Sequence, residues 1–354
     1  MPALGSLCFF NNKGGVGKTT LACNIASYLS ETQNITVLLV DADPQCNATQ
    51  LVLPDETTEN LYGSTTNSSG IDSLKQVLLP LLRGDASLET SHKIAGPESN
   101  RFGISVLPGH PHVALIEDRL STNWSLFLGG DLGGARVSNW NTQLLSHIKQ
   151  QYDLVIYDVG PSLGALNRSI LIGVDCFMAP MGCDIFSLIG IDNIAEWIKQ
   201  WQNNYNDAYA RMKTMHGDVT KDFGKEIRPD ASKMARFAGY TVQQYITKTI
   251  RNEKRATGAY EKILAQIPEE IARSLGQFIA APLNNDDVHL GDVPHMFSLV
   301  PLAQTAHAPI HKLTRADGLS GGQFQQQAQY KDFIKALAET LMKNLRRSAE
   351  LRND

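Results

Sequence analysis

Lys13-Gly14-Gly15-Val16-Gly17-Lys18-Thr19-Thr20 lies between an apolar run, Leu7-Cys-Phe-Phe10, and a second segment, Leu21-Ala-Cys-Asn-Ile-Ala-Ser-Tyr-Leu29. The first run reads as a buried strand. The second places Leu21, Ile25, Tyr28 and Leu29 at helical spacing. A glycine-rich turn between a strand and a helix N-terminus is a phosphate cradle, because its unpaired backbone N–H groups and the positive end of the helix dipole point at an anion. Lys18 is then the residue that reaches the outer phosphates, and the Thr19 hydroxyl is a Mg²⁺ ligand. A plain flexible turn is the competing reading, and Gly-Lys-Thr in this context argues against it.

The usual first glycine of such a loop is replaced by Asn12, and a second lysine, Lys13, enters it. Lys13 is too short-tethered to duplicate Lys18 and is better placed to reach a nucleotide held by a second copy of the chain. With these residues the sequence resembles the ParA/MinD family of P-loop ATPases, whose deviant Walker A motif is K-G-G-x-G-K-[ST]. The resemblance implies an ATP-sandwich dimer in which Lys13 contacts the partner's phosphates. It implies ATP and Mg²⁺ as ligands, with residues 13–20 as the phosphate loop.

Two further segments match that family. Val37-Leu-Leu-Val-Asp-Ala-Asp-Pro-Gln-Cys-Asn47 carries the pattern D-x-D-P-Q-x-N. By the resemblance, Asp43 orients the attacking water and Asp41 supports the Mg²⁺ side, with Lys13, Lys18 and Asp43 as the catalytic set. Tyr152-Asp-Leu-Val-Ile-Tyr-Asp-Val-Gly-Pro-Ser-Leu-Gly164 resembles the family's D-x-P-P-S-L-G run. It implies Asp158 as a Mg²⁺ ligand through a water. Gly160 stands where the family usually has Pro, which loosens the loop and removes no ligand. An Asp at a strand end is, alone, as often a cap or turn residue. Three matching segments in family order point to a site.

At 354 residues the chain could be two average domains or one doubly wound domain; one domain over 1–354 is expected. A hydrophobic content of 42% supports a sizeable core. The net charge of −4 supplies no global positive field, so any nucleic-acid surface must be local. The five cysteines include no C-x-x-C pair, and Cys8, Cys23 and Cys176 sit in apolar runs, which reads as core packing in a reducing compartment. The run 4–10 is too short for a signal h-region, and no run approaches the roughly 18 apolar residues of a membrane span. A soluble cytoplasmic protein is expected.

Along the chain, residues 55–70 read as a polar stretch, 71–83 as a helix and 103–108 as a short strand. Helices are expected at 113–120 and 141–150, with the glycine-rich 129–134 a flexible connection. A helix at 166–172, a strand at 176–180 and a helix at 188–201 follow. This order predicts a doubly wound, mostly parallel β-sheet flanked by helices, with ligand binding at the C-terminal ends of the strands. Beyond residue 200 the resemblance weakens. Residues 203–236 read as a solvated helical insertion. Residues 237–245 sit where the family has a strand ending near the base, so Gln243 or Gln244 is a candidate adenine contact. Ile267-Pro268 or Leu299-Val-Pro301 matches the family's Ile-Pro element. The second fits better because small residues follow at 306–313, so Pro301 is the candidate. Residues 284–292 read as an acidic surface loop.

The segment 325–351 is amphipathic, with Phe333, Ile334, Leu337, Ala338, Leu341, Met342 and Leu345 on one stripe, which reads as a final helix on the sheet. Its basic residues could bind DNA phosphates, bind anionic lipid or form a solvated face. Lipid ranks lowest because the chain ends Arg352-Asn-Asp354. Candidate DNA contacts are Lys343, Arg346 and Arg347, with a second cluster at Lys248, Arg251, Lys254 and Arg255. The resemblance thus implies a Mg-ATP-dependent dimerising switch that binds DNA non-specifically, positions a DNA or protein cargo and is stimulated by a partner protein. A regulator or effector of a multi-protein system such as phage defence is the alternative.

Overall fold

The computed structural model describes residues 4–63, 70–89, 91–148, 150–218, 220–224, 226–243, 248–250, 253–255, 258–280 and 283–353. Short apolar runs become strands: β1 Gly5–Phe9, β2 Val37–Asp41, β3 Ser105–Leu107, β4 Leu154–Asp158, β5 Cys176–Met181, β6 Arg236–Gln243, β7 Lys248–Ile250, β8 Glu253–Arg255 and β9 His289–Val293. Seven of them form one sheet in the order β3-β2-β4-β1-β5-β6-β9, every pairing parallel. β7 and β8 form a separate antiparallel pair. Strands in a parallel sheet are covered on both faces, which is why they read as continuous apolar runs rather than alternating ones.

The helices are α1 Lys18–Gln33, α2 Asn47–Val52, α3 Asp55–Tyr62, α4 Leu74–Arg83, α5 Ile116–Leu128, α6 Leu132–Ser138, α7 Trp140–Ile148, α8 Ala165–Leu171, α9 Ile185–His216, α10 Thr220–Phe223, α11 Gly258–Ser274, α12 Leu299–Thr305 and α13 Gln323–Asn353. They cover two separate cores. Cys8, Leu38, Val40, Val155 and Tyr157 face α4, α5 and α7 to α9, whereas Leu7, Phe9, Leu39, Leu154 and Ile156 face α1, α2, α12 and α13. The alternation is the two-residue period of a strand.

Four regions differ from their sequence reading. The polar stretch begins with a helix, α3, which buries Thr58 and Leu61 and carries Asp55 and Glu56 in its first turn, where the dipole favours acids. The glycine-rich 129–134 is not a loose connection. Asp131 caps α6 by accepting from the Gly134 N–H at 2.6 Å, and Gly134 packs against the α5 backbone with no room for a side chain. Residues 203–216 are helical as expected and mostly exposed, but they are the continuation of α9 rather than a separate insertion, burying one stripe of Tyr205, Ala208, Tyr209 and Met212 at helical spacing. The acidic 284–292 ends in β9, an edge strand of the sheet, with Val288 and Leu290 buried. At the C-terminus α13 packs its apolar stripe on the sheet, and Asn344 Nδ2 donates to the carbonyls of Ala238 and Asp287 at 2.8 and 2.9 Å. Among the described residues no helix is long and apolar enough to cross a membrane.

Candidate nucleotide-binding site

The loop between β1 and α1 turns at Gly15 and Gly17, whose φ values of 73° and 77° lie in the left-handed region that disfavours side chains. That turn aims the first N–H groups of α1 outward at the C-terminal edge of the sheet. Lys18 opens the helix and is buried, and its Nζ donates to the Lys13 carbonyl at 3.1 Å. Burial lowers its pKa, while Asp158 and Asp43 pull it back up.

β2 and β4 are neighbours in register, so Asp41 and Asp158 lie side by side. Their surroundings differ. Asp41 Oδ2 accepts from the Thr49 N–H at 2.8 Å and its hydroxyl at 2.6 Å, and Oδ1 accepts from the Asp43 N–H at 3.2 Å. Burial pushes its pKa up to about 6 against those hydrogen bonds. Both Asp158 oxygens are buried and have no hydrogen-bond partner among the described residues. Burial first, then the Asp41 charge, raises the Asp158 pKa far above the carboxylate range, with the Thr19 hydroxyl and Lys18 opposing. Two orphaned carboxylate oxygens beside a threonine hydroxyl fit a divalent cation, a hard ion that takes oxygen ligands. Asp158 and Thr19 could hold it. Asp41 differs in that both its oxygens are engaged by Thr49 and Asp43; neither it nor Asp158 is among the residues lining the cavity.

Asp43 Oδ1 accepts from the Gln45 N–H at 2.9 Å, and the side chain lines a cavity of about 1120 Å³ together with Gly14, Lys18 and Thr19. A Cβ at Gly160 would lie 3.2 Å from Asp43 Oδ1. The glycine expected to loosen its loop therefore also makes room for this carboxylate. A second cavity of about 470 Å³ touches the other side of the loop at Gly15, Val16 and Thr20, and is lined by Gln243, Pro294 and Phe297. Gln243 packs so close that a Cβ on Gly17 would meet its Nε2 at 2.8 Å; Gln244 lies outside the described residues. Pro301 lines neither cavity. It sits in the first turn of α12, where proline is tolerated. The proline at the cavity is Pro294, directly after β9, a position concealed by the acidic residues around it.

Lys13 points away from its own loop. Its Nζ is ion-paired with Asp184, which also caps α9 by accepting from the Ser187 N–H at 3.1 Å. The sequence reading missed Asp184, although an Asp directly before an apolar helical segment is an N-cap signal. The basic candidates fall in two places, the β7–β8 pair and α13. Lys248 pairs in register with Arg255 on the β7–β8 hairpin, beside Lys254. Arg251 lies outside the described residues. Lys343 is paired with Asp287 at 2.6 Å and Arg347 with Glu350 at 3.0 Å, while Arg346 is exposed.

Residues 5–210 match the model of a family described as an AAA domain. A solved structure of a protein from Corynebacterium diphtheriae superposes with a TM-score of 0.74 at 30% identity, covering 99% of this chain and 100% of that one. The chain is 29% identical over 208 residues to the chromosome-partitioning ATPase Soj of Treponema pallidum, covering 58% of this chain and 68% of that protein. It is 30% identical over 192 residues to an uncharacterised protein of Pseudomonas putida, where the match covers 54% of this chain and spans 60% of that relative's length.

Proposed function

The chain belongs to the ParA/MinD family of P-loop ATPases, and from that premise we propose that it is a Mg-ATP-dependent switch that dimerises on ATP and hydrolyses it slowly. In this reading the dimer binds DNA non-specifically and positions a DNA or protein cargo, and a partner protein stimulates turnover. The observation that carries the ATPase reading is Asp158, a buried carboxylate whose two oxygens have no partner among the described residues, beside the phosphate loop. A buried unpaired charge is costly unless a counter-charge arrives. When bound, Mg²⁺ neutralises charge on the phosphate oxygens. The N–H groups of residues 14–17 and the Lys18 ammonium hold the phosphates, and Asp43 orients the attacking water. The DNA part draws support from the chromosome-partitioning relatives and from the basic residues of the β7–β8 hairpin and Arg346.

The test is Asp43→Ala with Mg-ATP. The variant is expected to bind nucleotide as the unmodified protein does, to lose hydrolysis by about a hundredfold or more, and to accumulate as a dimer that shifts a non-specific DNA duplex. Full turnover by the variant would overturn the role of Asp43. An ATP-bound dimer that leaves DNA unshifted would remove DNA from the reading and favour an effector role without partitioning.

A further inference from the structure

The loop between Asp158 and α8 lies against the Asp43 carboxylate. A Cβ at Gly160 would come within 3.2 Å of Asp43 Oδ1 and 3.4 Å of Oδ2, and Pro161 lines the same cavity as Asp43 and Lys18. A glycine at such a contact leaves the backbone free to reorient. Asn167, buried in the first turn of α8, opposes that freedom. Its Nδ2 donates to the Gly160 carbonyl at 2.8 Å and to the Ser162 carbonyl at 2.7 Å. An amide NH₂ has two hydrogens, enough for both carbonyls, which flank Pro161. The helix that carries this amide is itself pinned. Glu117 Oε2 on α5 accepts from the Ala165 N–H at 2.6 Å and the Leu166 N–H at 3.2 Å, and a Cβ on Gly164 would meet Glu117 Oε1 at 2.7 Å. Trp140 Nε1 donates to the Ser169 hydroxyl at 2.7 Å, and the Arg168 guanidinium lies 4.6 Å over the Trp124 ring. A donor on a pinned helix holds its loop more tightly than one on a loop.

We propose that Asn167 is a positioning residue for hydrolysis: it clamps Gly160 and Ser162 so that the loop holds the Asp43 carboxylate, and the water it directs, in place against the phosphates. This rests on the reading of Asp43 as the group that orients water. Asn167 lines neither cavity, so it acts through the loop and not on the nucleotide. A small displacement of a water-directing group costs rate far more than it costs affinity. Loss of the clamp therefore lowers turnover and leaves substrate binding intact.

Phosphate release by the full chain with Mg-ATP tests this in two variants. Asn167→Ala removes both donors. Asn167→Asp keeps the size of the side chain, puts an acid in the first turn of α8 where the helix dipole favours one, and as a carboxylate cannot donate. Each is expected to lower kcat by about tenfold or more, with KM within about twofold of the unmodified protein. Thermolysin should also cleave the ligand-free variants within residues 160–164 several times faster, because the loop opens locally. A purely structural asparagine would lower the urea midpoint and leave the kcat of the folded protein unchanged. Folded Asn167→Ala at full turnover, beside an inactive Asp43→Ala, would therefore overturn the clamp and leave the Asp43 reading standing. If Asn167→Ala does not fold, Asn167→Asp decides in the same way. Unchanged cleavage within 160–164 in the folded variants would likewise overturn the clamp. Full turnover by Asp43→Ala would sink the water-orienting reading and the positioning role of Asn167 together.

Discussion

The ends of β2 and β4 occupy equivalent places in the sheet and have opposite electrostatic fates. Asp41 and Asp158 are register partners, both fully buried. Asp41 is held by two backbone N–H groups and a hydroxyl, drawn from the turn and the helix α2 that follow its own strand. Asp158 faces the phosphate loop with neither oxygen satisfied among the described residues. An internally saturated carboxylate organises the chain around it. An unsaturated one is a standing cost to the empty protein and a binding site for a cation. Position at a strand end therefore does not assign a role; the hydrogen-bond inventory of each carboxylate does.

Substitution should separate the two most sharply in turnover. Asp158→Asn is expected to reduce Mg-dependent phosphate release by about a hundredfold or more. The same change removes a group that must take up a proton to stay buried in the ligand-free fold, so calorimetry of the ligand-free variant at neutral pH should show a Tm raised by a few degrees, on the order of 1 kcal/mol. Undiminished hydrolysis would remove Asp158 from the cation site.

Asp41→Ala should show the reverse pattern. It leaves the Thr49 and Asp43 N–H groups without their acceptor, which is expected to cost about 2–4 kcal/mol in urea unfolding. The protein that remains folded should still bind nucleotide. If Asp41→Ala is as stable as the unmodified protein, the contrast between the two strand ends fails.

The smallest effect is in pH dependence. Asp41 has a folded pKa of about 6 against an ordinary 3.8, and that of Asp158 is also raised, so the ligand-free fold binds protons that the unfolded chain has released. Their contribution to stability is fully present below the ordinary carboxylate pKa; that of Asp41 is lost as pH rises through about 6, and that of Asp158 as pH rises through its own raised pKa. His110 opposes this. Burial first, then Lys75 and His112, lower its pKa from 6.5 to about 4, so its contribution is lost as pH falls through that window. His311, lowered first by burial, opposes it in the same way. His110→Gln combined with His311→Gln should therefore unmask a clearer decline in stability as pH rises toward 6, measured by urea midpoints. Saturating Mg-nucleotide should flatten the part due to Asp158. A stability that rises with pH toward 6 in the double variant would contradict the raised carboxylates.

The phosphate loop, the aspartates at and just after the strand ends, and the parallel sheet were legible because each is local. Glycines at fixed offsets, a lysine and a threonine at a helix start, and apolar runs ending in Asp carry their geometry in a few consecutive residues. Beyond residue 200 the local signal misled. Polar composition concealed that the helix expected beyond residue 203 is the second half of α9, whose buried stripe of Tyr205, Ala208, Tyr209 and Met212 repeats only every three or four residues. Acidic neighbours concealed β9, and with it Pro294 at the second cavity.

By itself the sequence determined that a phosphate cradle opens α1 and that carboxylates end the neighbouring strands, because those features depend on residue type at short spacing. Only the tertiary structure decided that Asp41 is saturated and Asp158 is not, that Gly160 makes room for Asp43, and that Lys13 rests on Asp184. Those outcomes join residues as much as 171 positions apart. Burial and hydrogen-bond supply at such places are set by which strands and helices the sheet brings side by side, and no local pattern encodes that.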